Sequence, residues 1–148
     1  SELGVNGRID TLQAAIVLAK FELFEPEVIA RQHVAERYNH LLSKVGITTT
    51  PYLAPGNTSV YAQYTIQVHD RSAVQEHLRQ RGIPTAVHYP TLLCQQPALA
   101  GCGERCRTCC GSPNAQSASE CVLSLPMHPY LSESDQDQVV AALAASLN

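Results

Sequence analysis

Val60-Tyr61-Ala62-Gln63-Tyr64-Thr65-Ile66-Gln67-Val68 is the stretch from which the fold can be read. Val60, Ala62, Tyr64, Ile66 and Val68 alternate with Tyr61, Gln63, Thr65 and Gln67. A period of two gives a β-strand one apolar face. Asp70-Arg71-Ser72 then opens a helix, with Ser72 and Gln75 at capping-box spacing. Val74 and Leu78 are its apolar positions and Gly82 is its end. Ile83 to His88 reads as a second strand, with Pro84 near its beginning, where a missing N–H is tolerated. The order is strand, short helix, strand.

Upstream, Asp10-Thr11-Leu12-Gln13 reads as a helix start, Asp10 capping and Gln13 reaching back. Leu12, Ala15, Ile16, Ala19 and Leu23 recur at helical spacing and predict a buried stripe. Pro26 suits the first turn of a second helix, whose inner face would be Ala30, Val34, Tyr38, Leu41 and Val45, with Gly46 as its stop. Residues 51–59 form a loop by composition. Downstream, 91–113 is irregular and holds most of the cysteines. A short helix over 115–121 and a short strand over 122–125, stopped by Pro126, follow. Ser132-Glu133-Ser134-Asp135 caps a last helix with Val139, Val140, Leu143 and Leu147 turned inward. There is no internal repeat. These elements predict an α+β fold, a small and partly antiparallel sheet covered by helices.

The chain has 148 residues, enough for one domain with a real core. An apolar share of 45% and a charged share of 16% are those of a globular protein rather than a disordered one. The net charge is −3, with no basic run or aromatic-basic interleaving, which argues against nucleic acid as a partner. No apolar stretch approaches the ~20 residues of a membrane span, and the first residues lack the pattern of a signal peptide. A cytoplasmic location is expected, with the six cysteines mostly reduced thiols or metal ligands. Ser1-Glu2-Leu3 leads almost directly into a motif, which is the expectation for a piece of a longer chain.

Three segments carry the candidate chemistry. In Gly4-Val5-Asn6-Gly7-Arg8, Asn6 sits in a glycine-flanked turn just before a helix N-terminus, a place suited to an anion such as phosphate. Arg8 adds a planar fork for carboxylate or phosphate. Spacing alone favours the plainer reading of a turn Asn and a solvent Arg, because such helix starts are common. His88 and Tyr89 close the second strand before Pro90. They offer hydrogen bonds and a stacking face, although a strand end packed on the core is the commoner case. Leu123-Ser124-Leu125-Pro126-Met127 reads as structural, a buried strand stopped by proline, and His128 as a surface or packing residue.

Taken together and in this order, Gly4 to Arg8, Gly82-Ile83-Pro84-Thr85-Ala86-Val87-His88-Tyr89-Pro90 and Leu123 to Met127 resemble the C-terminal part of the DegT/DnrJ/EryC1/StrS sugar aminotransferases. The resemblance covers nearly the whole chain and implies the small C-terminal domain of a fold-type-I enzyme dependent on pyridoxal phosphate (PLP). It implies that Asn6 bonds the cofactor phosphate across a dimer interface, and that Arg8, His88 and Tyr89 face the nucleotide-sugar substrate. It further implies amino transfer from a donor such as glutamate to a keto sugar nucleotide, a homo-oligomer, and a part in polysaccharide biosynthesis. Among relatives, the likeness is nearest to those acting on a 3-keto uronic-acid sugar nucleotide. Such enzymes hold PLP on a lysine. This chain has only Lys20 and Lys44, neither in a segment like the family's cofactor-lysine segment. The chain alone is therefore expected to bind no cofactor and to have no catalytic residue of its own, the large PLP-lysine domain being absent from it.

Gly101 to Gly111 departs from the family, with Cys102, Cys106, Cys109 and Cys110 in one short run. With Cys94 or Cys121 such thiolates can bind zinc, but adjacent Cys109 and Cys110 are awkward ligands for one tetrahedral ion. Free thiols, or else adventitious disulfides, are the preferred reading, and no metal site is expected. The Cys-x3-Cys-x2-Cys spacing also matches a radical S-adenosylmethionine loop, but the chain is too short for the barrel that motif needs. The alternative to an aminotransferase domain is a stand-alone, non-catalytic module for dimerisation or for binding an anion or metal.

Overall fold

The structure is a computed structural model and describes residues 7–99 and 112–147. The Asp10 carboxylate accepts from the Gln13 backbone N–H at 2.8 Å, while the Gln13 side chain accepts from the Asp10 N–H at 3.3 Å. This reciprocal cap starts helix α1 (Thr11–Phe21) where the sequence predicts it. The predicted buried stripe is corrected, because no residue of α1 is buried. Leu12 is 73% exposed and Ile16 54%. Among the described residues α1 packs chiefly against α2 (Phe24–Lys44) and buries nothing, so its periodicity marks an apolar face without marking a covering element. Phe21 and Phe24 stack across the junction, with ring centroids 5.6 Å apart.

Helix α2 buries Val34, Ala35, Tyr38 and Leu42 and ends at Gly46, whose φ of +83° is the left-handed conformation that stops helices. The inner face turns at Leu42 rather than at the predicted Leu41 and Val45. Leu41 packs at the margin of the core and Val45 is exposed. Helix α3 (Arg71–Gln80) is capped by Asp70, which accepts from the Ala73 N–H at 3.0 Å, so Ser72 is inside the helix and is not its cap. Val74 and Leu78 are buried as predicted, and Gly82 has a φ of +73°. Ser112 caps α4 (Pro113–Cys121), which begins slightly earlier than expected because Pro113 suits a first helical position. Ser132 caps α5 (Glu133–Ser146), which buries Val139, Val140 and Leu143 and leaves Leu147 exposed.

The sheet consists of β1 (Tyr64–Gln67) and β2 (Val122–Leu125), paired antiparallel with Thr65 opposite Ser124. The core face of β1 is Tyr64, Ile66 and Val68, as the alternation predicts. The strand does not begin at Val60. Tyr61 takes a left-handed φ of +42°, and β2 ends at Leu125, so residues 60–63 have no ladder to join. The second predicted strand is reduced to one bridge on the other edge of β2, where Ala86 and Ser124 exchange both backbone hydrogen bonds (3.1 and 2.8 Å). The reason is a shortage of donors. The next pair on one side would be Pro84 with Pro126, neither of which has an N–H. The next pair on the other side would need the Val122 N–H, which instead donates to the Ala118 carbonyl at the end of α4.

The α+β class therefore stands. β1, α3 and the Ala86 segment form a strand-helix-strand unit whose two extended arms lie on either side of β2. Helices α2, α3 and α5 pack together over one core that includes Tyr38, Leu42, Ile66, Leu78, Leu123 and Leu143. Two polar contacts lock it: the Tyr38 hydroxyl donates to the Pro126 carbonyl at 3.0 Å, and buried Gln136 donates to the Val34 carbonyl at 2.9 Å.

Candidate functional site at the end of the central strand

Because Ser124 lies between Leu123 and Leu125, which face the core, its side chain projects from the opposite face of the sheet. Thr65 is directly opposite it on β1, in a pair whose backbones do not bond each other and whose side chains therefore come close. Their hydroxyl oxygens are 2.8 Å apart. On the other edge, Ala86 is fixed by its bridge, and His88, two residues on, shares its face. The His88 Nδ1 lies 3.3 Å from the Ser124 hydroxyl oxygen. Ser124 is 4% exposed and is thus held between a threonine and a histidine.

His88 stands between two clefts. One, of about 240 Å³, runs past Ala62, Gln63, Thr85, Ser124 and Met127. Its rim is tied by Arg31 of α2, whose Nη1 donates to the carbonyls of Tyr61 at 3.2 Å and Met127 at 3.4 Å. The other, of about 290 Å³, lies between Tyr89 to Leu93 and helix α4 and is lined by Ala115, Ala118 and Ser119. Arg71 of α3 donates to the Ser119 carbonyl and so fixes α4 at that wall. Tyr89 follows His88 through a cis peptide bond, and its ring stands edge-on to the imidazole at 5.6 Å. Tyr89 is 73% exposed, so its face and hydroxyl are open to a ligand.

Of the residues singled out in the sequence, His88 and Tyr89 come together at these clefts. Arg8 is exposed ahead of α1, lines none of the described clefts and has no hydrogen bond or ion pair among the described residues. Asn6 lies outside the described residues, as do Cys102, Cys106, Cys109 and Cys110. Among the described residues no cluster of three or more His, Cys, Asp or Glu side chains could hold a metal ion. Cys121 is a free thiol, whereas Cys94 is disulfide-bonded, the alternative to free thiols that the cysteine segment left open. His128 is exposed, as expected. Ser124 and Thr65 were not legible as site residues. The available signal was their polar character on the outward face of strands whose other face is apolar.

The described residues do not by themselves make a site for PLP. A Schiff base needs a lysine desolvated in a pocket. Lys20 and Lys44 lie exposed in the last turns of α1 and α2 and line no described cleft.

The sequence profile of the DegT/DnrJ/EryC1/StrS aminotransferase family matches residues 1–144. The chain belongs to that family. It is 48% identical over 141 residues to a UDP-2-acetamido-2-deoxy-3-oxo-D-glucuronate aminotransferase of Pseudomonas aeruginosa, an alignment covering 95% of this chain and 37% of that protein. It is 35% identical over 147 residues to a UDP-N-acetyl-3-dehydro-alpha-D-glucosamine 3-aminotransferase of Acidithiobacillus ferrooxidans, covering 99% of this chain and 38% of the relative. The fold superposes with a TM-score of 0.82 on the crystal structure of a DegT/DnrJ/EryC1/StrS aminotransferase from Brucella abortus. That match is 37% identical and covers 99% of this chain and 38% of the other. This family member thus spans well under half the length of the relatives it matches. No helix among its described residues is long and apolar enough to cross a membrane.

Proposed function

We propose that this chain is the C-terminal, substrate-facing domain of a PLP-dependent nucleotide-sugar aminotransferase that moves an amino group from glutamate to a keto sugar nucleotide. The nearest support for the substrate is the name of the Pseudomonas relative, and the reading is a UDP-linked 3-oxo uronic acid or a close analogue. The observation that carries the reading is His88, held from behind by Ser124 at 3.3 Å and set between two clefts beside an exposed Tyr89. His88, Tyr89 and Arg8 orient the sugar nucleotide, Asn6 bonds the cofactor phosphate of a second subunit, and the Schiff-base lysine comes from outside these residues. The complete protein is a cytoplasmic homo-oligomer. The chain is one domain of it and is not catalytic on its own.

The exposed apolar face of α1 favours a second reading, a non-catalytic dimerisation module derived from the same family. The two separate in a chimera in which this chain replaces the aligned 141 residues of the Pseudomonas enzyme. Amino transfer to UDP-2-acetamido-2-deoxy-3-oxo-D-glucuronate supports the first reading. A folded, cofactor-loaded chimera without transfer leaves the second.

A further inference from the structure

We propose that Ser124, backed by Thr65, is a positioning residue that holds the His88 imidazole in its Nε2–H form, so that His88 meets its ligand as a hydrogen-bond donor. The inference rests on the reading of His88 as substrate-facing, and it adds what kind of substrate atom His88 would touch.

The argument is a count of protons. The Ser124 hydroxyl oxygen has two neighbours, the Thr65 hydroxyl at 2.8 Å and the His88 Nδ1 at 3.3 Å. Two arrangements satisfy both contacts and also use the proton of buried Ser124, which would have no acceptor if both neighbours donated to it. In the first, Thr65 donates to Ser124 and Ser124 donates to Nδ1, which must then be the unprotonated nitrogen. Both hydroxyl protons are used inside the chain of three, and the imidazole proton sits on Nε2. In the second, Nδ1–H donates to Ser124 and Ser124 donates to Thr65. The Thr65 proton then has no acceptor among the described residues, since Ser124 is the one partner Thr65 has there. Ser124 is buried, so water does not readily substitute for either neighbour at that oxygen. Half-buried Thr65 could then give its proton only to water, whereas the first arrangement uses both hydroxyl protons inside the trio and is the one the geometry favours.

Nε2 has no partner among the described residues, and His88 lines both clefts. A donor at that position pairs with an acceptor oxygen, such as a phosphate, carboxylate, carbonyl or hydroxyl oxygen of a sugar nucleotide. It does not pair with an ammonium or an amide N–H. The backbone keeps the two ends in register, because the Ala86–Ser124 bridge fixes the histidine arm against the strand that carries the serine.

The test reads the tautomer directly. Two-bond proton–nitrogen spectra of the 148-residue chain labelled in its histidines are recorded well above the ordinary imidazole range, with His88 assigned by loss of its signals in His88→Gln. The expected result is an imidazole almost wholly in the Nε2–H form, drifting toward the mixture of free histidine in Ser124→Ala. Should Ser124→Ala fail to fold, the isosteric Thr65→Val at a half-buried position is expected to shift the ratio in the same direction. A dominant Nδ1–H form, or a ratio unchanged in the folded variants, overturns the proposal. In the chimera, Ser124→Ala is expected to lower kcat/KM about 3- to 10-fold, as for one lost hydrogen bond. The spectra need no ligand and no transfer, so the two ideas fail separately. An inactive chimera with the Nε2–H form retained removes the functional reading alone, and an active one with the Nδ1–H form removes the positioning role alone.

Discussion

Ala86 and Ser124 exchange both of their backbone hydrogen bonds, and this single bridge attaches the arm carrying His88 and Tyr89 to the central strand. Prolines 84 and 126 on one side and the engaged Val122 N–H on the other keep it from lengthening into a ladder. The backbone of that arm is therefore tied to the sheet by one residue pair.

Replacing Ala86 by proline removes the N–H that donates to the Ser124 carbonyl at 3.1 Å. The expected cost is about 1–2 kcal/mol of stability, the value of a lost hydrogen bond with a strand carbonyl left unpaired. The His88 and Tyr89 signals should move further than those of α5. Urea unfolding and an amide correlation spectrum check both. A shift spread evenly over the domain would contradict the local role of the bridge.

The core makes its own prediction at high pH. Burial pushes the phenols of Tyr38 and Tyr64 well above their ordinary value. In the unfolded chain they ionise near pH ~10. Their contribution is complete below that pH. Above it the unfolded state releases protons that the folded state keeps, so stability falls as pH rises, by about 1.4 kcal/mol per pH unit for each phenol. Tyr38→Phe and Tyr64→Phe should each flatten that slope, and urea midpoints from about pH 9 to 11 measure it. Equal slopes in the parent and both variants would show that the phenols are not held neutral by the fold.

Gln136 is 1% exposed, and its amide donates to the Val34 carbonyl, joining α5 to α2. Gln136→Ala opens a cavity as well as breaking this bond and is expected to cost about 2 kcal/mol or more. Gln136→Leu keeps most of the volume, leaves the carbonyl to its helix, and should cost about 1 kcal/mol or less. The order of the two urea midpoints is the check, and a leucine variant weaker than the alanine one would contradict it.

Much of this architecture was legible, for physical reasons that differ by element. The caps at Asp10 and Ser132 are local chemistry between residues three apart, so they read directly from the sequence. The Tyr64-Ile66-Val68 face follows from strand geometry alone. The stripe on α1 was equally periodic, yet it is exposed, because periodicity shows which residues share a face and not whether anything covers it. The length of the second strand depended on where its donors go, which only the pairing with β2 and the end of α4 reveals. His88 and Tyr89 were singled out through resemblance. Ser124, 36 positions from His88, became a partner only once the chain was folded.

The apolar face of α1 should drive association. Leu12 is 73% exposed, Ile16 54% and Leu23 53%. The 148-residue chain is expected to form dimers or larger species at high concentration. Leu12→Glu with Ile16→Glu should weaken association without lowering the unfolding midpoint, since neither residue is in the core. Sedimentation across a concentration series decides it, and a strict monomer at the highest attainable concentration would contradict the expectation.

The most direct test of the central claim is the Michaelis constant of the chimera for its UDP-linked 3-oxo sugar, with and without the His88 side chain. Loss of a hydrogen bond from a positioned imidazole is expected to raise KM or lower kcat/KM in His88→Ala by roughly 10-fold. The cofactor spectrum should be unchanged, because the proposed function takes the cofactor lysine from outside these residues. A His88→Ala chimera that turns over the sugar nucleotide with unaltered KM and kcat would contradict the assignment of His88 to the substrate.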